Sequence, residues 1–146
     1  MSVFVDTGVF YAAFDERASR HTDARGGLSA VLQDASYGQV MTSDYVYDET
    51  VTLTYQRTGS IERAIAVGER LRSTDGGPDA VTMHHITDSI FEEAVDAFER
   101  FDDHGLSFTD ATTVALADRH DVDIVLSFDD DFEGVVDERL DPASIA

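Results

Sequence analysis

"VFVDTGVFYAAF", Val3 to Phe14, sets a short apolar run directly against an aspartate and a Thr7-Gly8 turn. A β-branched and aromatic run that stops at turn formers reads as a buried strand, here Ser2 to Val5. Three more runs share the pattern: "QVMTS" at Gln39 to Ser43, "AVTMHHI" at Ala80 to Ile86 and "DIVLS" at Asp123 to Ser127. Helical patterns lie between them, at Leu28 to Gln33, Asp44 to Arg57, Ile61 to Arg72, Asp88 to Phe101 and Asp110 to His120. In Asp88 to Phe101, the residues Ile90, Phe91, Ala94, Val95, Phe98 and Phe101 form an i, i+3, i+4 stripe, with acids mostly opposite. Strands alternating with helices predict an α/β fold whose parallel sheet is covered on both faces. Ligands of such sheets bind beyond the carboxyl ends of the strands.

The 146 residues are 42% apolar, which suits one domain spanning 1–146. "TDGGPDA" at Thr74 to Ala80 reads as a turn-rich loop, too short for a linker. No run approaches the roughly 18 to 20 apolar residues of a membrane span, and no basic region leads into a long apolar one, so a cytoplasmic protein is expected. Thirty acidic residues face ten basic ones, a formal charge of -20, and all ten are arginine. Lysine-free, acid-rich surfaces resemble those of proteins adapted to a salt-saturated cytoplasm; the alternative is an acidic protein with a basic partner.

Several chemistries are excluded. Without cysteine there is no disulfide, thiolate metal site or thiol nucleophile, so any metal is held by oxygen or imidazole. The five histidines lack zinc spacing, and there is no G-x-x-x-x-G-K-[ST] or G-x-S-x-G. An aspartyl-phosphate hydrolase needs D-x-D after its first strand and normally a lysine, whereas "VDTGV" has one aspartate and the chain no lysine.

Four carboxylates stand out against this acidic background. Asp6 follows the first strand among apolar residues, where a charge is costly unless it is paired or metal-bound; a helix cap for the segment starting near Gly8 is the plainer reading. In "SDYVYDETVTLTYQR", Asp44 and Asp48 share one helix face, while Glu49 borders the arc of Val46 and Leu53. Glu49 therefore turns inward or lies half exposed on an amphipathic edge. Asp110 shares a face with Val114 and Ala117, but it also stands three residues after Ser107, the spacing of a capping box. Asp129 comes two residues after "DIVLS" and falls beside Asp6 if the two strands are neighbours; Asp130 and Asp131 are further ligands or loop charge. Carboxylates converging at one sheet end match the hard oxygen ligands that Mg²⁺ or Mn²⁺ requires, and such a centre suits phosphodiester hydrolysis.

The order and context of these acids, in "VFVDTGVFYAAF", "SDYVYDETVTL", "LSFTDATTVALA" and "IVLSFDDDFEGV", resemble the PIN-domain nucleases, especially the VapC-type toxin ribonucleases. The resemblance runs from Asp6 to Val135, and "VVDERLDP" resembles the family's ending. It implies a three-layer α/β/α sandwich and a Mg²⁺- or Mn²⁺-dependent endoribonuclease. Its four-acid site falls on Asp6, Glu49, Asp110 and Asp129, with Asp131 competing for part of the fourth role. Asp6, Asp110 and Asp129 would hold metal, and Glu49 would ligate or help deprotonate the attacking water. Thr7 and Ser127 occupy places where the family often has an orienting hydroxyl. The partners implied are an RNA substrate, a small antitoxin and a second copy in a homodimer; the alternative is a PIN-like RNA-processing or binding module without toxin role. A charge of -20 suits RNA poorly in dilute buffer, which leaves Arg17, Arg20 and Arg25 as candidate phosphate contacts.

Self-repulsion of this size is screened as the Debye length falls from about 10 Å at 0.1 M salt to about 3 Å at 1 M. The thermal midpoint should therefore climb steadily with KCl over that range; a midpoint indifferent to salt would remove the salt-adaptation reading.

Overall fold

The computed structural model describes residues 1–72 and 80–146; of the "TDGGPDA" loop, all but Ala80 lies outside the described residues. The chain runs β1 (Val3–Val5), α1 (Thr7–Phe14), α2 (His21–Gln33), β2 (Val40–Ser43), α3 (Asp44–Thr58), α4 (Ile61–Leu71), β3 (Thr82–His84), α5 (Asp88–Arg100), α6 (Phe108–Arg119), β4 (Ile124–Leu126) and β5 (Arg139–Leu140). Single 3₁₀ turns occupy Asp130–Phe132 and Pro142–Ser144. The strands form one sheet in the order β3-β2-β1-β4-β5, and every pairing is parallel. Helices flank it in the expected three-layer α/β/α arrangement: α5 packs on α6, α1 on α2 and α3, and α3 on α4.

The three central strands, β1, β2 and β4, are buried on both faces. Val3, Phe4, Val5, Ile124, Val125 and Leu126 form the middle of the core. From β1 the chain moves outward to β2 and β3, then returns to the other side of β1 as β4. The switch point of the sheet is therefore the crevice between β1 and β4, where their carboxyl ends splay their loops apart.

Three features depart from the sequence reading. α1 has no polar face, since Thr7, Val9, Phe10, Tyr11, Ala12 and Ala13 are all buried, so no amphipathic period marks it as a helix. α2 begins at His21, seven residues before the expected Leu28, and so runs through Gly26-Gly27, a pair of low helix propensity. In fact these glycines let the C-terminal segment close on the helix: a β-carbon on Gly27 would stand 2.7 Å from Pro142 Cβ, and one on Gly26 would stand 2.8 Å from Ala146 Cβ. β5 is only Arg139–Leu140 within the charged "VVDERLDP", and its pairing with β4 makes it a strand.

An added methyl usually stabilises a helix interior by up to about 1 kcal/mol over glycine. Gly27→Ala should do the opposite, costing about 1–3 kcal/mol through overpacking against Pro142, as read by urea denaturation. A gain in stability would show that the C-terminal turn yields freely.

Candidate active site

Asp6 occupies the switch point. Its amide donates to the Leu126 carbonyl (3.1 Å), tying the end of β1 to the end of β4. Its side chain is only 7% exposed. Asp6 holds the N-cap position of α1, but its carboxylate makes no capping hydrogen bond. Instead Oδ2 accepts the Ser127 hydroxyl at 2.8 Å, so the capping alternative fails because the neighbouring strand supplies a better-placed donor. Ser127 Oγ also accepts the Asp129 amide (3.0 Å), and Asp129 Oδ1 accepts the Asp131 amide (2.8 Å). One serine thus fixes the buried acid and the loop after β4, and fully buried Phe132 anchors the far end of that loop.

The other acids reach the same crevice from two helices. Ser43 caps α3 by accepting the Val46 amide, which sets the helix phase. Glu49 is then half-buried and lines the cleft, while its neighbour Asp48 is exposed. The capping box of α6 is present: the Ser107 hydroxyl accepts the Asp110 amide (3.0 Å), and Asp110 Oδ2 accepts the Ser107 amide (3.0 Å). Asp110 nonetheless lines the cleft, so capping and facing the crevice are compatible roles of one carboxylate. Asp6, Glu49, Asp110 and Asp129, from four separate segments, all line one open cleft of about 930 Å³.

The third aspartate of the tract behaves differently. Asp129 and exposed Asp130 line the cleft, whereas Asp131 turns toward the α5–α6 connection, where its Oδ2 would meet a β-carbon on Gly105 at 3.4 Å. Carboxylate oxygens of Asp129, Asp130 and Asp131 still lie within 4.8 Å of one another. The Asp129 charge, above all, raises the pKa of Asp131.

Electrostatics mark the cleft as strained when it holds only its own acids. Burial, then the charge of Asp110, lifts Asp6 from 3.8 to about 7, against the lowering effect of the Ser127 hydrogen bond. Burial also raises Asp110, with Asp129 and Glu49 adding repulsion. Beside Asp6, the Thr7 hydroxyl is buried in the cleft wall with no hydrogen-bond partner among the described residues. Four oxygen acids, depressed ionisation and an orphan hydroxyl are a donor set that fits a hard divalent cation.

The same cleft also has a cationic and aromatic lining. Arg17, Arg20, Arg57, Tyr11 and Phe128 line the cleft with the acids, while Arg25 lines the adjoining cavity. Arg57 escaped the sequence reading, although Glu49, Leu53 and Arg57 follow an i, i+4, i+8 pattern that puts them along one side of α3. Tyr11, set in the apolar run Val9 to Phe14, and Phe128, between Ser127 and Asp129, carried no sequence signal for a place in the cleft.

A family profile described as PIN domain matches residues 3–138. The 23S rRNA-specific endonuclease VapC20 of Mycobacterium tuberculosis is 33% identical over 139 residues, covering 94% of this chain and 98% of the relative. Among solved structures, the crystal structure of that organism's VapC20, a sarcin-ricin loop cleaving toxin, superposes with a TM-score of 0.79 at 30% identity, covering 92% of this chain and 97% of the other. VapBC2 from Rickettsia felis, bound to a promoter DNA fragment, gives a TM-score of 0.68 at 10% identity over 97% of this chain and 100% of the other, a likeness of fold.

The raised pKa of Asp6 has a definite sign for stability. The protonated form is favoured on folding, so the stabilisation is complete below 3.8 and is lost as pH rises through about 7. Above that, the metal-free chain carries a penalty on the order of 4 kcal/mol. With chelator at high salt, Asp6→Asn should be more stable than the native chain at pH 8, and that advantage should shrink toward pH 5. A constant difference between the two pH values would contradict the burial of an ionisable Asp6.

Proposed function

The chain belongs to the PIN-domain family, and we propose that it is a divalent-metal-dependent endoribonuclease, the toxin of a toxin–antitoxin pair. One observation carries the reading: Asp6, Glu49, Asp110 and Asp129 come from four segments to one cleft at the switch point of the sheet. Relatedness to an rRNA-specific endonuclease over nearly the full length of both chains supports RNA as the substrate.

In this reading Asp6, Asp110 and Asp129 hold Mg²⁺ or Mn²⁺, and Glu49 ligates or takes the proton of the attacking water. A bound divalent cation would lower the pKa of that water and stabilise charge on the phosphate. Ser127 orients Asp6 through its hydroxyl and presents the Asp129 loop through the amide it accepts. The Ser107 amide holds one oxygen of Asp110 and keeps that carboxylate from swinging away. The Thr7 hydroxyl, without a partner among the described residues, would take a hydrogen bond with water or phosphate. Because Asp6 must lose its proton to ligate, metal binding should strengthen as pH rises through about 7 and flatten above it.

The partners follow from the same reading. Structural neighbours include a toxin–antitoxin complex from Klebsiella pneumoniae and FitAB bound to DNA, which supports a small antitoxin as this chain's partner. A homodimer belongs to the proposal as well. Among the described residues no helix is long and apolar enough to cross a membrane.

The test is incubation of total RNA and purified ribosomal RNA with the protein at high salt with Mn²⁺. Native protein should leave discrete fragments with 5′-phosphate and 3′-hydroxyl ends, and Asp6→Asn should slow cleavage at least about 100-fold, as loss of an electrostatic catalytic element typically does. Equal cutting by the two proteins would sink the site assignment.

A further inference from the structure

In a chain with three acids for every base, the position of each arginine is informative. Six of the ten arginines line two adjoining cavities that share Tyr11: Arg17, Arg20 and Arg57 in the acidic cleft, Arg25, Arg63 and Arg70 beside it. Elsewhere the cations serve the scaffold. Arg119 pairs with Glu93, and Arg139 pairs with Glu133 and donates to the Ser127 carbonyl.

Two of the cleft arginines are held in another way. The Arg20 guanidinium lies 4.7 Å from the Phe128 ring centroid, and that of Arg57 lies 4.9 Å from the Tyr11 ring centroid. Neither has a carboxylate at salt-bridge distance among the described residues. Both rings are fixed. Tyr11 is buried and donates its hydroxyl to Asp15 at 2.6 Å, while Phe128 lies between Ser127 and Asp129 in the braced loop. A guanidinium held against an aromatic ring by cation–π attraction keeps N–H donors available for a further partner. That is a prepared seat for a phosphate, which takes such a fork bidentately.

The positions set the two seats apart. Arg57 stands two turns along α3 from Glu49, about 12 Å along the helix axis. Arg20 sits over the ring of Phe128, the residue next to Asp129.

We propose that Arg20 and Arg57, held against Phe128 and Tyr11 in the cleft that the four acids line, grip RNA phosphates neighbouring the scissile one. The proposal rests on the endoribonuclease reading of the cleft and names how its substrate is held. It also resolves the poor match between a charge of -20 and a polyanionic substrate: binding relies on a few local, well-oriented cations while salt screens the remaining acids.

The experiment has two arms. In the first, cleavage of a single-stranded RNA is measured for Arg20→Gln, Arg57→Gln and Arg100→Gln; Arg100 rests on Phe101 outside the cleft and matches the charge change. The cleft variants should raise KM about tenfold with kcat changed little, and Arg100→Gln should leave both unaltered. In the second, RNA binding by the same substitutions on an Asp6→Asn background is followed by fluorescence anisotropy with Mn²⁺ across a KCl series. Each cleft substitution should weaken binding about tenfold and reduce the salt slope by about one. Arg20→Lys and Arg57→Lys should recover only part of the loss, because an ammonium keeps the charge without the stacked fork.

Cleft variants that behave like Arg100→Gln in both arms would overturn the proposal. Lysine variants equal to the native protein would overturn the aromatic seating. If the native chain cuts no RNA while the binding arm still depends on Arg20 and Arg57, the nuclease reading fails and the phosphate grip stands. If Asp6→Asn protein binds no RNA at any salt, the grip fails.

Discussion

A carboxylate buried at the meeting point of two parallel strands is the constraint around which the rest is arranged. Asp6 cannot move away from the crevice, because its own amide is bonded to β4 and its oxygen to Ser127. Nor can it ionise cheaply, since burial and neighbouring acids hold its pKa near 7. A scaffold that keeps such a group does so against its own stability, a pattern characteristic of sites where function demands it. The short, fully buried strands on either side explain how the group is held: Val3 to Val5 and Ile124 to Leu126 have no solvated face along which to slip.

Ser127 links that constraint to the remainder of the site. Through one hydroxyl it donates to Asp6 and accepts from the Asp129 amide, while Arg139 of the edge strand braces its carbonyl. The small, charged β5 therefore matters beyond its two residues. On the helical side, Ser43 and Ser107 do comparable work, since each caps a helix and so sets the rotation that turns Glu49 or Asp110 toward the cleft.

The charge distribution separates two roles that composition alone merges. Most acids are dispersed and solvated, whereas a few are gathered where burial makes their repulsion count, with arginines against aromatic rings in the same cleft. "DDD" at Asp129 to Asp131 spans both roles: Asp129 and Asp130 face the cleft, and Asp131 turns to the Gly105 connection.

Much was legible in the chain itself. Four of the five strands and the helices from Asp44 onward follow from apolar runs, period and capping residues, because those signals act over a few neighbouring positions. The inward turn of Glu49 against exposed Asp48 was equally local, a matter of helical phase. What the sequence could not decide depended on contacts between distant segments. α1 is apolar on all sides and shows no period; Gly26-Gly27 has low helix propensity, and its fit to Pro142 and Ala146 appears only in the folded chain; β5 exists only by pairing with β4. The same holds for the site. Sequence placed four acids at the ends of elements, but only the strand order brought Ser127 to Asp6 and Arg57 to Tyr11, since a hydrogen bond across 121 residues and a ring under a guanidinium leave no local pattern to read.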